Sequence, residues 1–179
     1  MGIGIGDITA VFVTLAAVGV VFPGLLLTWL LLLPATVERA RERVTRTPWQ
    51  VFFLGAIALL GMGMPLTLLN AAAGPLQFIR ILSVFVLLAL MSIGAAGVAA
   101  MMGERLRGQG VNVTTPGALV RGAVALEFAM VFPFVGWFIV LPLIAILAFG
   151  AALFALLRWT PRGASAANAP ALGDARQAT

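Results

Sequence analysis

The sequence predicts an all-α membrane protein: three transmembrane helices followed by a C-terminal helical hairpin. Composition and pattern predict the class. Hydrophobic residues make up 62% of the 179-residue chain and charged residues 9%, with a mean hydropathy of +1.12; a soluble domain carries about 25% charge. The apolar runs are long and lack the period-2 alternation of a transmembrane barrel, so they read as helices. A third observation, the placement of arginine, decides how those helices are threaded.

Composition also narrows the chemistry. The chain has no Cys, His, Tyr or Lys, and its formal charge of +5 comes from 11 arginines against 6 acids. Thiol chemistry, disulfides, His or Cys metal sites, imidazole catalysis and lysine Schiff bases are therefore excluded. The arginines flank apolar runs, so topology and anionic lipid account for the high pI better than nucleic acid does. No acid pair, nucleophile–base constellation or phosphate loop occurs, so neither an enzyme nor a cofactor is expected. Gly2-x-Gly4-x-Gly6 follows no strand and is not a dinucleotide fingerprint.

In chain order, residues 8–33 form the first apolar run. It is too long for a signal-peptide core and reads as a retained helix. Asp7 can cap its start, and Pro23-Gly24 is expected to kink it, the plain reading being an adjustment of packing. Residues 35–47, ATVERARERVTRT, carry Arg39, Arg41, Arg43 and Arg46 against Glu38 and Glu42. Val37, Ala40 and Val44 share one helical face, and Glu42 with Arg46 makes an i,i+4 pair. These features predict a short amphipathic helix lying on the cytoplasmic membrane surface, held by anionic lipid at about 1 kcal/mol per arginine.

The second crossing covers 51–70 and is loosened by Gly61, Gly63 and Pro65. A Gly74-Pro75 turn follows. The third crossing covers 76–102, with Arg80 placed to snorkel to the outer interface. Its end is rich in small residues (Ser92, Gly94, Ala95, Ala96, Gly97, Ala99, Ala100), a pattern that lets helix backbones approach closely in lipid. That face predicts an intramolecular contact, with homo-oligomerisation as the lesser reading. Residues 103–110, with Arg105 and Arg107, form a second basic loop, and 111–116 a polar linker.

Residues 117–159 are too long for one straight crossing, since about 43 residues at 1.5 Å each reach about 65 Å against a hydrocarbon core of about 30 Å. Phe132-Pro133-Phe134-Val135-Gly136-Trp137 breaks the run near its middle. The loops at 35–47 and 103–110 are the basic ones and belong inside, which puts the N-terminus outside. Folding back at Pro133–Gly136 gives arms of 117–132 and 137–157 and keeps Arg158, Arg162 and Arg176 inside. The alternative is an amphipathic surface helix followed by one crossing, four transmembrane helices in all. Residues 1–159 form one helical domain, and 160–179, rich in Ala, Pro and Gly, is expected to be a disordered tail.

Glu127 is the one acid deep in an apolar run. Ionisable groups in the membrane are costly and default to a functional hypothesis. As a neutral acid it could relay a proton; ionised, it could pair with an arginine. Arg121 lies six positions earlier, about 240° round the helix, and is badly placed for that. Arg80, Arg105 and Arg107 are the other candidates. The plainer reading is that Glu127 fixes packing within the bundle or a wet cleft. Pro23, Pro133 and Gly136 are the candidate hinges.

The order of these features resembles a known family. An arginine-rich segment follows the first apolar run, Gly74-Pro75-Leu76 joins two crossings, and Gly103-Glu104-Arg105-Leu106 ends the third. Arg121-Gly122, Glu127 and the Phe132–Trp137 break close the pattern. Together they resemble the multi-pass membrane module associated with bactofilin-type polymer-forming proteins of bacteria. The resemblance covers most of 8–157. It implies a small helical module that anchors or organises a scaffold; no bactofilin β-helix is present, so polymerisation does not carry over. The expectation is a non-enzymatic anchor or assembly subunit of the bacterial cytoplasmic membrane. Its expected partners are anionic lipids, a cytoplasmic scaffold protein and further copies of itself. The alternative is a small transporter or channel component that uses Glu127.

Overall fold

The computed structural model of the protein describes residues 5–68, 74–110 and 113–159, several of those before residue 16 by backbone alone. The expected tail at 160–179, the start of the 70–75 turn and the Asp7 side chain lie outside the described residues. The described chain is helical, without strands: α1 Ile5–Leu32, α2 Pro34–Arg46, α3 Pro48–Leu68, α4 Pro75–Arg107, α5 Thr115–Val131 and α6 Leu141–Leu156. A wide π-type turn, Gly136–Val140, leads directly into α6.

Proline sets many of the starts. Pro34, Pro75 and Pro116 all sit in a first helical turn, where a missing N–H costs nothing. Thr114 caps α5, its Oγ1 accepting from the Gly117 N–H at 3.3 Å. Three segments are long and apolar enough to cross a membrane: Pro48–Thr67, Leu76–Arg107 and Gly136–Leu156. α1 and α2 together make a fourth, bent by 110° at their junction.

α4 is the axis of the bundle. Its first half is mostly exposed, whereas Ile93–Ala99 is buried. Three glycines on its second half each admit one neighbour. A Cβ on Gly94 would lie 1.7 Å from the Ala148 carbonyl oxygen of α6, one on Gly97 2.5 Å from Ala40 Cβ of α2, and one on Gly103 2.1 Å from the Ala118 carbonyl oxygen of α5. At about 100° per residue, Gly94 and Gly103 point to opposite sides of α4. The expected small-residue face is therefore an intramolecular one, used in three directions.

The same close packing recurs elsewhere. A Cβ on Gly122 would meet the Ala99 carbonyl oxygen at 2.0 Å, and Gly55 and Gly150 admit the backbones of α6 and α3 at 2.0 and 2.1 Å. Gly103 beside Ala118 and Gly122 beside Ala99 make α4 and α5 antiparallel; Gly150 against Val51 and Gly55 against Ile146 do the same for α3 and α6. Between α1 and α4, Trp29 Nε1 donates to Ser92 Oγ at 2.9 Å, giving the indole its polar partner within the apolar layer.

The C-terminal hairpin forms, in an open version. α5 and α6 both pack along α4 and touch each other chiefly at the turn, as the opposed directions of Gly94 and Gly103 require. At that turn the Gly136 N–H donates to the Phe132 carbonyl at 2.8 Å. A Cβ on Gly136 would lie 2.5 Å from the Met130 carbonyl oxygen, so only glycine lets α6 start so close to the end of α5. Pro133 lies in the break itself.

Several expected boundaries move. α1 begins at Ile5, which places Asp7 inside the helix instead of at its cap. It also runs through Pro23 unbroken. α4 continues to Arg107, so Glu104, Arg105 and Arg107 stand on its last turn and most of the expected basic loop is helix. α2 differs most from expectation. It does not merely lie on a surface: Thr36, Val37, Ala40, Arg43 and Val44 are buried against the bundle, where Gly97 leaves room for it.

Candidate functional site

Polar groups gather in two places. The first is the end of the bundle that α2 crosses. The C-terminal ends of α1, α4 and α6 and the starts of α3 and α5 meet there. α2 turns a charged face away from the core, and a chain of ion pairs ties that face to α4. Glu38 accepts from Arg41, Arg41 Nη1 stands 3.7 Å from Glu104 Oε1, and Arg107 Nη1 lies 2.9 Å from the same oxygen. The expected Glu42–Arg46 pair forms at 3.1 Å. Half-exposed pairs of this kind are worth about 0–1 kcal/mol each, so the network fixes register more than it adds stability.

Bonding to Glu38 raises the Arg41 pKa above its ordinary value, with burial opposing and Glu104 and Glu42 helping. Arg41 is thus a fixed charge. Arg39 bonds its own helix, donating to the Ala35 carbonyl at 3.0 Å and to Thr36 Oγ1 at 3.1 Å. Arg105 is exposed and forms no ion pair among the described residues. Arg107 Nε is buried without a hydrogen-bond partner.

Arg43 departs from its expected role as a headgroup ligand. It is only 7% exposed. Its Nε donates to the Trp159 carbonyl at 2.5 Å, and its guanidinium lies 4.5 Å from the Phe154 ring centroid. Burial lowers its pKa from the ordinary arginine value, with Glu42 opposing. Its register could have betrayed it: Thr36, Ala40 and Arg43 are spaced four and three apart, on the apolar face.

The second place is Glu127 on α5, facing α1. Its Oε1 is buried and has no hydrogen-bond partner. Its Oε2 would lie 3.9 Å from a Cβ on Gly19, so the carboxyl sits over a position that carries no side chain. The arginine partners considered for it are elsewhere. Arg121 is exposed on the same helix. Arg80 lines a cleft of about 330 Å³ between α3 and α4 with Leu66, Thr67, Ile81, Val84 and Phe85. Arg105 and Arg107 stand on the last turn of α4, at the α2 end.

Fold and polar groups together define a class: an all-helical chain with three apolar spans, or four with the bent pair, which fits a membrane-embedded, multi-pass protein. No family model, curated protein or solved structure matches the chain.

Proposed function

We propose that the chain is a non-enzymatic module of the bacterial cytoplasmic membrane that anchors or assembles a cytoplasmic scaffold, with its α2 end facing the cytoplasm. One observation carries this reading. α2 is a charged helix built into the bundle, seated by Ala40 on Gly97 and tied by Arg43 to the end of α6. A helix held only by lipid would slide and rotate; this one holds Glu38, Arg39, Glu42 and Arg46 at fixed positions. Arg105 extends the charged face. Such a surface suits a partner that must be held in one orientation, of the kind the bactofilin-associated resemblance implies. Anionic headgroups around the same arginines favour this end on the cytoplasmic side.

The test is lateral mobility in cells. Fused to a fluorescent reporter, the full chain is expected to diffuse more slowly than an unattached multi-pass protein of similar size. Arg39, Arg46 and Arg105 changed together to Ala should restore free diffusion with insertion unchanged, because none of the three holds the core. Free diffusion of the wild type, or ion flux through the purified protein in vesicles, would contradict the anchor reading.

A further inference from the structure

The structure points to a second property, at Glu127, that is independent of the anchor reading. As a free choice of the sequence, this acid could carry a proton or pair with a cation. The packing separates the two. Glu127 faces α1, whose residues 9–32 contain no charged side chain. The turn and α6, residues 132–156, contain none either. The other charged residue of α5, Arg121, is exposed six positions away. On α4, the remaining neighbour, Arg80 lines the α3 cleft, and Glu104, Arg105 and Arg107 occupy its last turn at the α2 end. No cation faces the carboxyl among the described residues, and Oε1 is buried with its hydrogen-bonding capacity unused.

We propose that Glu127, seated over Gly19 at the α1–α5 contact, is a proton-binding site within the membrane and is held as the neutral acid in the resting protein. A neutral carboxyl suits an apolar seat that supplies no counter-charge, whereas a carboxylate left there would be unpaired. Gly19 marks the place: a Cβ added there would meet Oε2 in ordinary contact at 3.9 Å, so the carboxyl lies about a methyl's width from the α1 backbone. Loss of the proton would favour movement of the carboxylate out of that seat, so protonation is coupled to the α1–α5 contact. The transport expectation requires such a group; the anchor reading does not.

Dicyclohexylcarbodiimide tests this on the full-length wild-type protein in lipid vesicles. This apolar reagent reacts with protonated carboxyls inside membranes. The acid proton moves to a carbodiimide nitrogen, the carboxyl oxygen bonds the central carbon, and rearrangement leaves a stable N-acylurea with the reagent added whole. Peptide mass spectrometry at neutral pH is expected to find the adduct on Glu127 and not on Glu38, Glu42 or Glu104. Labelling should fall about tenfold per pH unit once the pH exceeds the group's pKa. Infrared spectra should show a protonated-carboxyl C=O band that disappears in Glu127→Gln. Folded wild-type protein that leaves Glu127 unlabelled, or that lacks the band at neutral pH, overturns the proposal. The labelling needs no variant, so a Glu127→Gln protein that fails to fold does not rescue it.

Discussion

Arg43 donates through Nε to the main-chain carbonyl of Trp159, 116 positions further along the chain, at 2.5 Å. This bond joins the last turn of α2 to a residue three positions past α6, so α2 and the end of the last described helix share one side of the bundle. The guanidinium also stacks over Phe154, whose ring lies 5.8 Å from that of Trp159. Arginine suits the position because its planar group serves the carbonyl along one edge and the ring with one face; lysine cannot do both.

Arg43→Ala should therefore lower stability in detergent by about 2 kcal/mol, the cost of a charged hydrogen bond lost from a buried site. Arg43→Lys should recover only part of it. Denaturant titration measures both, and limited proteolysis at Arg158 should speed up as the end of α6 loosens. Arg39→Ala, at a residue that bonds only its own helix, should change stability by less than about 0.5 kcal/mol.

The glycines divide into two groups with opposite expectations. Gly94→Ala, Gly122→Ala and Gly150→Ala each place a methyl within 2.1 Å of a backbone carbonyl oxygen. The neighbouring helix must move, at a cost of about 1–3 kcal/mol or more. Gly61 and Gly63 meet nothing within 4 Å, so Ala there should raise stability by up to about 1 kcal/mol through helix propensity. Thermal unfolding in detergent separates the groups; equal effects would contradict the crossings described.

Arg158 occupies the left-handed region, with φ 53°. Beyond it the Trp159 N–H returns to the Phe154 carbonyl at 3.2 Å. This is the Schellman ending of a helix, normally made with glycine. Arg158→Gly should stabilise the end of α6 by about 1 kcal/mol, since a side chain in that conformation carries roughly that strain. The gain should appear in denaturant titration and leave membrane insertion unchanged.

Much of the architecture was legible in the sequence because membrane constraints are simple: long apolar runs, Pro and Gly breaks, and arginine at one end. The break at Phe132–Gly136 was readable because proline and glycine act locally. The fate of α2 was not, since a buried face with one arginine on it looks the same as a face lying on lipid. Only Gly97, 57 positions further on, makes room for Ala40, and nothing local ties the two. The surroundings of Glu127 were likewise out of reach. Its isolation depends on which face of α5 meets α1, and that follows from the packing of Ala118 on Gly103 and of Gly122 on Ala99, between α5 and α4.

The open hairpin that returns the chain to the α2 side is the feature on which the rest depends. The protein contains no cysteine, so single replacements report cleanly. Thr45→Cys on the exposed face of α2 and Ser165→Cys beyond α6 are each treated with a membrane-impermeant maleimide, in intact cells and in inverted vesicles. Both positions should react from the same side of the membrane, the inverted vesicles being the expected one. Reaction from opposite sides would mean a single crossing after α4 and would contradict the hairpin.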